Sequence, residues 1–229
     1  MSKKILILDN SIVPTVYTPV RHWAPYLDAP FEAVRMQDLA IPDLEGVTHV
    51  IITGSEASIT SEEGWIDHLA AIARRLAIRR TPVLASCFGH QLLARALAGI
   101  DHVRRSPTPE FGWVRVSMSP DAGADPVAGA LPSEFYTYSA HFDEVYPLPS
   151  SFALLGASSR CSHAVIRHRE LPWWGFQHHP EITPSEGRQL IAAIQAMMPE
   201  KADAVANGLF EEVRDDNTIG AIVSAFLRV

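Results

Sequence analysis

Cys87 lies in the heptad Ala85-Ser86-Cys87-Phe88-Gly89-His90-Gln91, with a small residue two positions before it and another two after. That is the spacing of a nucleophile elbow, where the chain turns sharply from strand to helix and small flanks keep the turn uncrowded. A thiol at such a turn points away from the sheet. A helix starting at about Gly89 would present unpaired N–H groups and the positive end of its dipole, favouring a thiolate and the oxyanion of an acyl-transfer intermediate. From the heptad alone, Cys87 reads equally well as one more small buried residue of an apolar strand.

A second segment, Gly175-Phe176-Gln177-His178-His179-Pro180-Glu181, tips that balance. Pro180 pushes His179 into an extended conformation, in which residues two apart share a face. His179 and Glu181 then lie side by side, a base and the carboxylate that orients it, while His178 faces the other way. The bland alternative is a surface histidine with a glutamate in a loop. Cys161, His163, His168, His178 and His179 could suggest zinc, but their spacing fits no closed four-ligand pattern, so no metal is expected. Neither a GxGxxG nor a Walker pattern is present, and no nucleotide cofactor is expected.

These residues need elements to position them. Residues 5–8, 50–53 and 83–86 read as short buried strands, and 64–80 as an amphipathic helix through Trp65, Ile66, Leu69, Ile72 and Leu76. Its Arg74, Arg75, Arg79 and Arg80 read as a solvated face near the helix C-terminus. Thr81-Pro82 breaks that helix, and helical spacing resumes over 89–97, so Cys87 falls at a strand-to-helix turn. Beyond residue 110 short strands of mixed direction are expected at 113–116, 135–138, 152–155 and 164–166, then one at 173–176. A helix is expected over 185–198 with Ser185 as N-cap, and a terminal one over 219–227. Asp9 and Asn10 read as turn residues, and Trp173-Trp174 as core.

Four blocks in order resemble the class I (triad) glutamine amidotransferases, most closely the stand-alone type similar to the amidotransferase part of GMP synthase. The resemblance runs from Ile5 to about Met198. Residues 50–55 are similar to the family's strand and oxyanion loop, and 82–94 to its nucleophile block. Residues 139–145 resemble the block whose backbone helps hold the substrate's amino acid end, and 174–181 the block that supplies histidine and glutamate. The resemblance implies a catalytic triad of Cys87, His179 and Glu181, backbone oxyanion donors near Gly54, Ser55 and Phe88, and substrate contacts from Gln91, His141 and Phe142. Three departures stand out: Ala85 for a glycine before the nucleophile, Ser55-Glu56 for Gly-Pro in the oxyanion loop, and His178 for an aromatic.

The implied fold is α/β and flavodoxin-like: a mostly parallel central sheet with helices on both faces and a few additional mixed strands, forming a single domain over 1–229. The implied activity is hydrolysis of the glutamine side-chain amide, with ammonia passed to a synthase on a separate chain. A hydrolase of γ-glutamyl peptides or conjugates is the runner-up, and a non-catalytic binding module the third reading. With 229 residues, 47% hydrophobic and 20% charged, the composition is that of an ordinary globular domain. Its formal charge of −7 argues against nucleic acid, and no apolar run reaches the ~18 residues of a membrane helix. A cytoplasmic location is expected.

Overall fold

A computed structural model of the chain describes residues 3–210 and 212–229. Among the described residues, ten strands form one sheet. Its parallel part runs β2 (Phe31–Arg35), β1 (Ile5–Asp9), β3 (His49–Ile52), β4 (Val83–Ser86) and β9 (Trp173–Phe176). Beyond β9 the order continues through β8 (Val165–His168), β7 (Phe152–Ser158), β5 (Val103–Met118) and β10 (Leu209–Phe210), with β6 (Glu134–Val145) also paired to β5. The joins from β9 to β8, β8 to β7, β7 to β5 and β5 to β6 are antiparallel. This is the mostly parallel sheet with mixed additional strands that the sequence predicts.

Period-two alternation decides which helices lie where. In β1, β3 and β4 the side chains of Leu6, Leu8, Val50, Ile52, Val83 and Ala85 pack on one face with α2 (Gly64–Arg79) and α3 (Phe88–Ala98). Ile5, Ile7, Ile51 and Leu84 point to the other, where they meet Trp23 of α1 (Pro19–Trp23) and Ile222, Val223 and Phe226 of α6 (Ile219–Phe226). Trp173 and Trp174 obey the same rule, one in each layer, and both are core as expected.

Several local expectations are corrected. The strands expected at 113–116 and 135–138 are pieces of a long hairpin, β5 with β6, whose register shifts between Arg105 and Glu110. Pro107 and Pro109 interrupt its ladder and hide its length from a pattern reading. Helix α4 (Pro184–Met197) is capped by Thr183, not Ser185: Thr183 and Glu186 form a reciprocal capping box, with Pro184 at the first helical position. The arginine cluster is an exposed face as expected, and three of its members also make bonds to neighbouring elements. Arg74, Arg79 and Arg80 donate to the carbonyls of Ala96, Leu44 and Glu170, tying α2 to its neighbours. A strand at β2, helix α1 and helix α5 (Ala202–Gly208) were not anticipated. Among the described residues, no helix is long and apolar enough to cross a membrane.

Candidate active site

Strands β1, β3, β4 and β9 end in register, which brings the segments after them to one edge of the sheet. Chain order reverses between β1 and β3, so the loops that follow these two strands diverge and leave a crevice at their carboxyl ends. Cys87 stands at the turn from β4 to α3 with φ 49° and ψ −109°, a conformation that costs a non-glycine residue energy. The turn is clamped on both sides: the Cys87 amide donates to Phe176 O at 2.8 Å, and its carbonyl accepts from the Gln91 amide at 3.1 Å. Gly89 permits it, because a Cβ there would lie 2.3 Å from Ile52 O. Ala85, in place of the glycine usual before the nucleophile, is fully buried within the core layer of α2 and α3.

His179 arrives on an extended segment held to β6 by its amide, which donates to Tyr138 O at 2.8 Å. Its Nδ1 lies 2.7 Å from Glu181 Oε1, and its ring faces the Cys87 sulfur closely enough for the two charges to interact, while the thiol itself donates to Ala140 O at 3.7 Å. Burial works against a charged ring here, but the Cys87 sulfur and the Glu181 carboxylate outweigh it and raise the pKa to about 10. Tyr17 donates its hydroxyl to the same Glu181 oxygen at 2.7 Å and sets its ring edge-on to His179. Burial, and next the charge of Glu181, hold the Tyr17 hydroxyl well above its ordinary pKa, so it remains a donor. His178 does face the other way, buried between Phe135 and Phe176 with neither ring nitrogen bonded. Burial pushes its pKa down to about 3.

Gly54 follows β3 and touches the histidine: a Cβ there would sit 2.5 Å from His179 Cε1. Asn10 fixes this approach, its amide and side chain bonding Thr53 Oγ1 at 3.0 Å and Thr53 O at 2.8 Å. It is therefore a buried brace between β1 and β3 as well as a turn residue. The Ser55-Glu56 departure carries its own fastening. The Glu56 carboxylate accepts from the Ile12 amide at 2.9 Å and from Ser11 Oγ at 3.2 Å, pinning the loop after β3 to the loop after β1. Across the cavity, Gln91 Nε2 donates to Asp143 O at 2.7 Å and Gln177 Oε1 at 3.2 Å. His141 has both ring nitrogens engaged, with Asp143 O and the buried Glu110. Phe142 packs its ring against Phe111.

Cys87, Phe88, Ser55, Gln91, His141, Phe142 and His179 thus line one cavity, with Glu181 directly behind His179. Cys161 lies apart, and burial pushes its thiol well above the ordinary range. Among the described residues, no group of three His, Cys, Asp or Glu side chains is arranged to hold a metal ion. Tyr17 and Glu110 escaped the sequence reading because neither lies in a motif. Tyr17 sits 164 positions from the carboxylate it contacts. Helix α4 also walls the cavity, through Leu190, Ile194 and Met197, an outcome its apolar spacing did not reveal.

An α/β sheet with a cysteine elbow facing a histidine–carboxylate pair has the form of an acyl-transfer enzyme. The family "Glutamine amidotransferase class-I" matches residues 21–197, and the chain belongs to it. The chain is 34% identical over 105 residues to a subunit of the glutamine-hydrolysing GMP synthase of Methanococcus maripaludis strain C7, a match covering 46% of this chain and 53% of that one. The corresponding GMP synthase subunit of Thermoplasma acidophilum is 28% identical over 154 residues, 67% of this chain and 73% of that one. The chain spans about half the length of the first of these relatives. Among solved structures, a glutamine amidotransferase of Methylobacillus flagellatus superposes with a TM-score of 0.76 at 22% identity, covering 100% of this chain and 95% of that one. Another, from Thermotoga maritima, gives 0.75 at 14% identity, with 100% and 97% covered. Both show the same fold.

Proposed function

We propose that the chain hydrolyses the side-chain amide of glutamine through a thioester on Cys87. The observation that carries this reading is a thiol on a strained turn facing a buried imidazole whose other nitrogen is held by Glu181. With its proton transferred to His179, the Cys87 sulfur attacks the amide carbonyl, and backbone N–H groups near Gly54, Ser55 and Phe88 receive the oxyanion. At the start of α3 the Phe88 amide has no intrahelical acceptor, so it is free for that role. As the C–N bond breaks, His179 gives its proton to the departing ammonia. Water then attacks the thioester, His179 takes its proton, and glutamate leaves as the sulfur is released. Glu181, steadied by Tyr17, keeps the ring oriented throughout. Gln91 Oε1 and the backbone of residues 141–143 hold the amino acid end.

By analogy with the GMP synthase relatives, the ammonia goes to a synthase on a separate chain. Residues 1–229 act as a single domain in this reading, located in the cytoplasm. A glutamine-directed diazoketone tests the chemistry: it should label Cys87 and spare Cys161, and Cys87→Ala should lose both labelling and turnover. Labelling of Cys161 alone would sink the assignment.

One observation favours the γ-glutamyl hydrolase reading as a second. The cavity beside Cys87 is walled by Leu190, Ile194, Met197 and Met198, an apolar surface that departing ammonia does not require. Efficient cleavage of γ-glutamyl peptides with glutamine nearly inert would put this reading first. Inertness toward both classes, with no thioester trapped, would favour a binding module.

A further inference from the structure

A second cavity of roughly 680 Å³ adjoins the one at Cys87, and Arg105, Phe142 and Lys201 border both. Arg160 also lines it, so three cations border it, and none of its described lining residues is acidic. This concentration of positive charge occurs in a chain whose formal charge is −7. Arg105 comes from the irregular stretch of β5, Arg160 from the turn after β7, and Lys201 from the turn before α5. Like charges gathered from three distant segments repel one another unless an anion sits among them.

Two of the three cations, Arg160 and Lys201, are held in place without being neutralised by a carboxylate among the described residues. Arg160 Nη1 donates to Asn207 O at 2.8 Å, with its guanidinium 4.7 Å from the centre of the Phe210 ring. Lys201 Nζ stands 4.8 Å from the centre of the Phe142 ring and contacts Met198 Sδ at 3.4 Å. Neither is paired with a carboxylate among the described residues. Arg105 is paired with Asp143 at 2.9 Å, so the unpaired charge bordering the groove is that of Arg160 and Lys201. Two close backbone approaches bring α5 and its neighbours to the groove. A Cβ on Gly208 would lie 2.7 Å from Pro109 O, and one on Gly112, at φ 102°, would lie 2.6 Å from Phe210 O.

We propose that this groove is a subsite for a carboxylate on the amine portion of the substrate, so that γ-glutamyl amides of amino acids are preferred over γ-glutamyl amides of neutral amines. The proposal rests on the thioester chemistry assigned to Cys87 and, of the two substrate readings, on the γ-glutamyl hydrolase one. The apolar residues of α4 offer a surface for the amino acid's side chain, and the cations lie beyond Phe142 at the cavity's edge. Water cleaves the γ-amide C–N bond, and the products are glutamate and a free amino acid.

The test compares γ-glutamylglycine with γ-glutamyl methylamide, which lacks the second carboxylate, as the ratio of their kcat/KM values. The native chain should favour γ-glutamylglycine on the order of 10-fold or more, the loss expected when a hydrogen bond between charged groups is removed. That ratio should fall toward one in Lys201→Met and in Arg160→Met, and recover in Lys201→Arg. Because Arg160→Met also releases Asn207, Lys201→Met is the deciding variant. Equal kcat/KM for the two amides in the native chain overturns the proposal. So does an equal loss for both in Lys201→Met, which would assign the cation to the glutamyl α-carboxylate that both share. Binding of the two amides to Cys87→Ala protein separates the two hypotheses. Selective binding without turnover by the native chain keeps the subsite and fails the chemistry, whereas turnover without selectivity does the reverse.

Discussion

Two adjacent histidines differ only in the direction their side chains take. His179 reaches Glu181 and the Cys87 sulfur, while His178 is enclosed by phenylalanine rings. His179→Asn should therefore lower kcat by roughly 10²–10⁴-fold, the usual contribution of a positioned base. His178→Phe, which replaces an unbonded ring by an apolar one among aromatics, should leave kcat within a few-fold. A larger loss in His178→Phe would overturn the assignment of the base. Tyr17 offers a finer test, since its hydroxyl bonds Glu181 while its ring, which Tyr17→Phe keeps, stands edge-on to His179. Removing a hydrogen bond to a charged group costs about 1.5–3 kcal/mol, so Tyr17→Phe should lower kcat by roughly 10- to 100-fold with KM little changed. An altered KM at constant kcat would instead make Tyr17 part of the substrate wall.

At the scale of elements, the site depends on α3 starting close against β3. Gly89→Ala would force a Cβ onto the Ile52 carbonyl, and such overpacking costs about 1–3 kcal/mol or more. Gly220, in the first turn of α6, has open space where a Cβ would stand, with no atom within 4 Å, so Gly220→Ala should stabilise by about 0.5–1 kcal/mol. Urea unfolding of the two variants should move the midpoint in opposite directions. An unchanged midpoint in Gly89→Ala would mean that the helix start can shift, and the elbow with it.

For the molecule as a whole, acid sensitivity follows from two buried histidines. Burial lowers both His90 and His178 from an ordinary 6.5 to about 3. Above pH 6.5 each is neutral in the folded and unfolded chain, so neither of these two histidines subtracts from stability there. Between pH 6.5 and 3 only the unfolded chain takes up these protons, and stability is lost as pH falls, by about 1.4 kcal/mol per histidine for each pH unit. His178→Phe should remove its share, which would appear as a shallower decline of the urea midpoint between pH 7 and 4. A parallel decline in the variant and the native chain would refute burial of a neutral His178.

The local geometry of the candidate site was legible in the sequence by itself, because short-range rules govern it. Small residues around Cys87 mark a sharp turn, Pro180 forces the extended step that puts His179 beside Glu181, and alternation sends His178 away. Period-two and helical spacing likewise revealed the parallel core strands and the helices α2 and α3. The β5–β6 hairpin was not legible, since its prolines and register shift conceal a pairing that depends on partners far along the chain. Tertiary structure alone decided which distant groups meet at the sheet edge. The Tyr17 hydroxyl on Glu181, the Glu56 carboxylate on the loop after β1, and the α4 wall of the cavity all depend on strand order and crossover. Contacts between residues that no local spacing relates exist only once the sheet has brought their loops to a common edge.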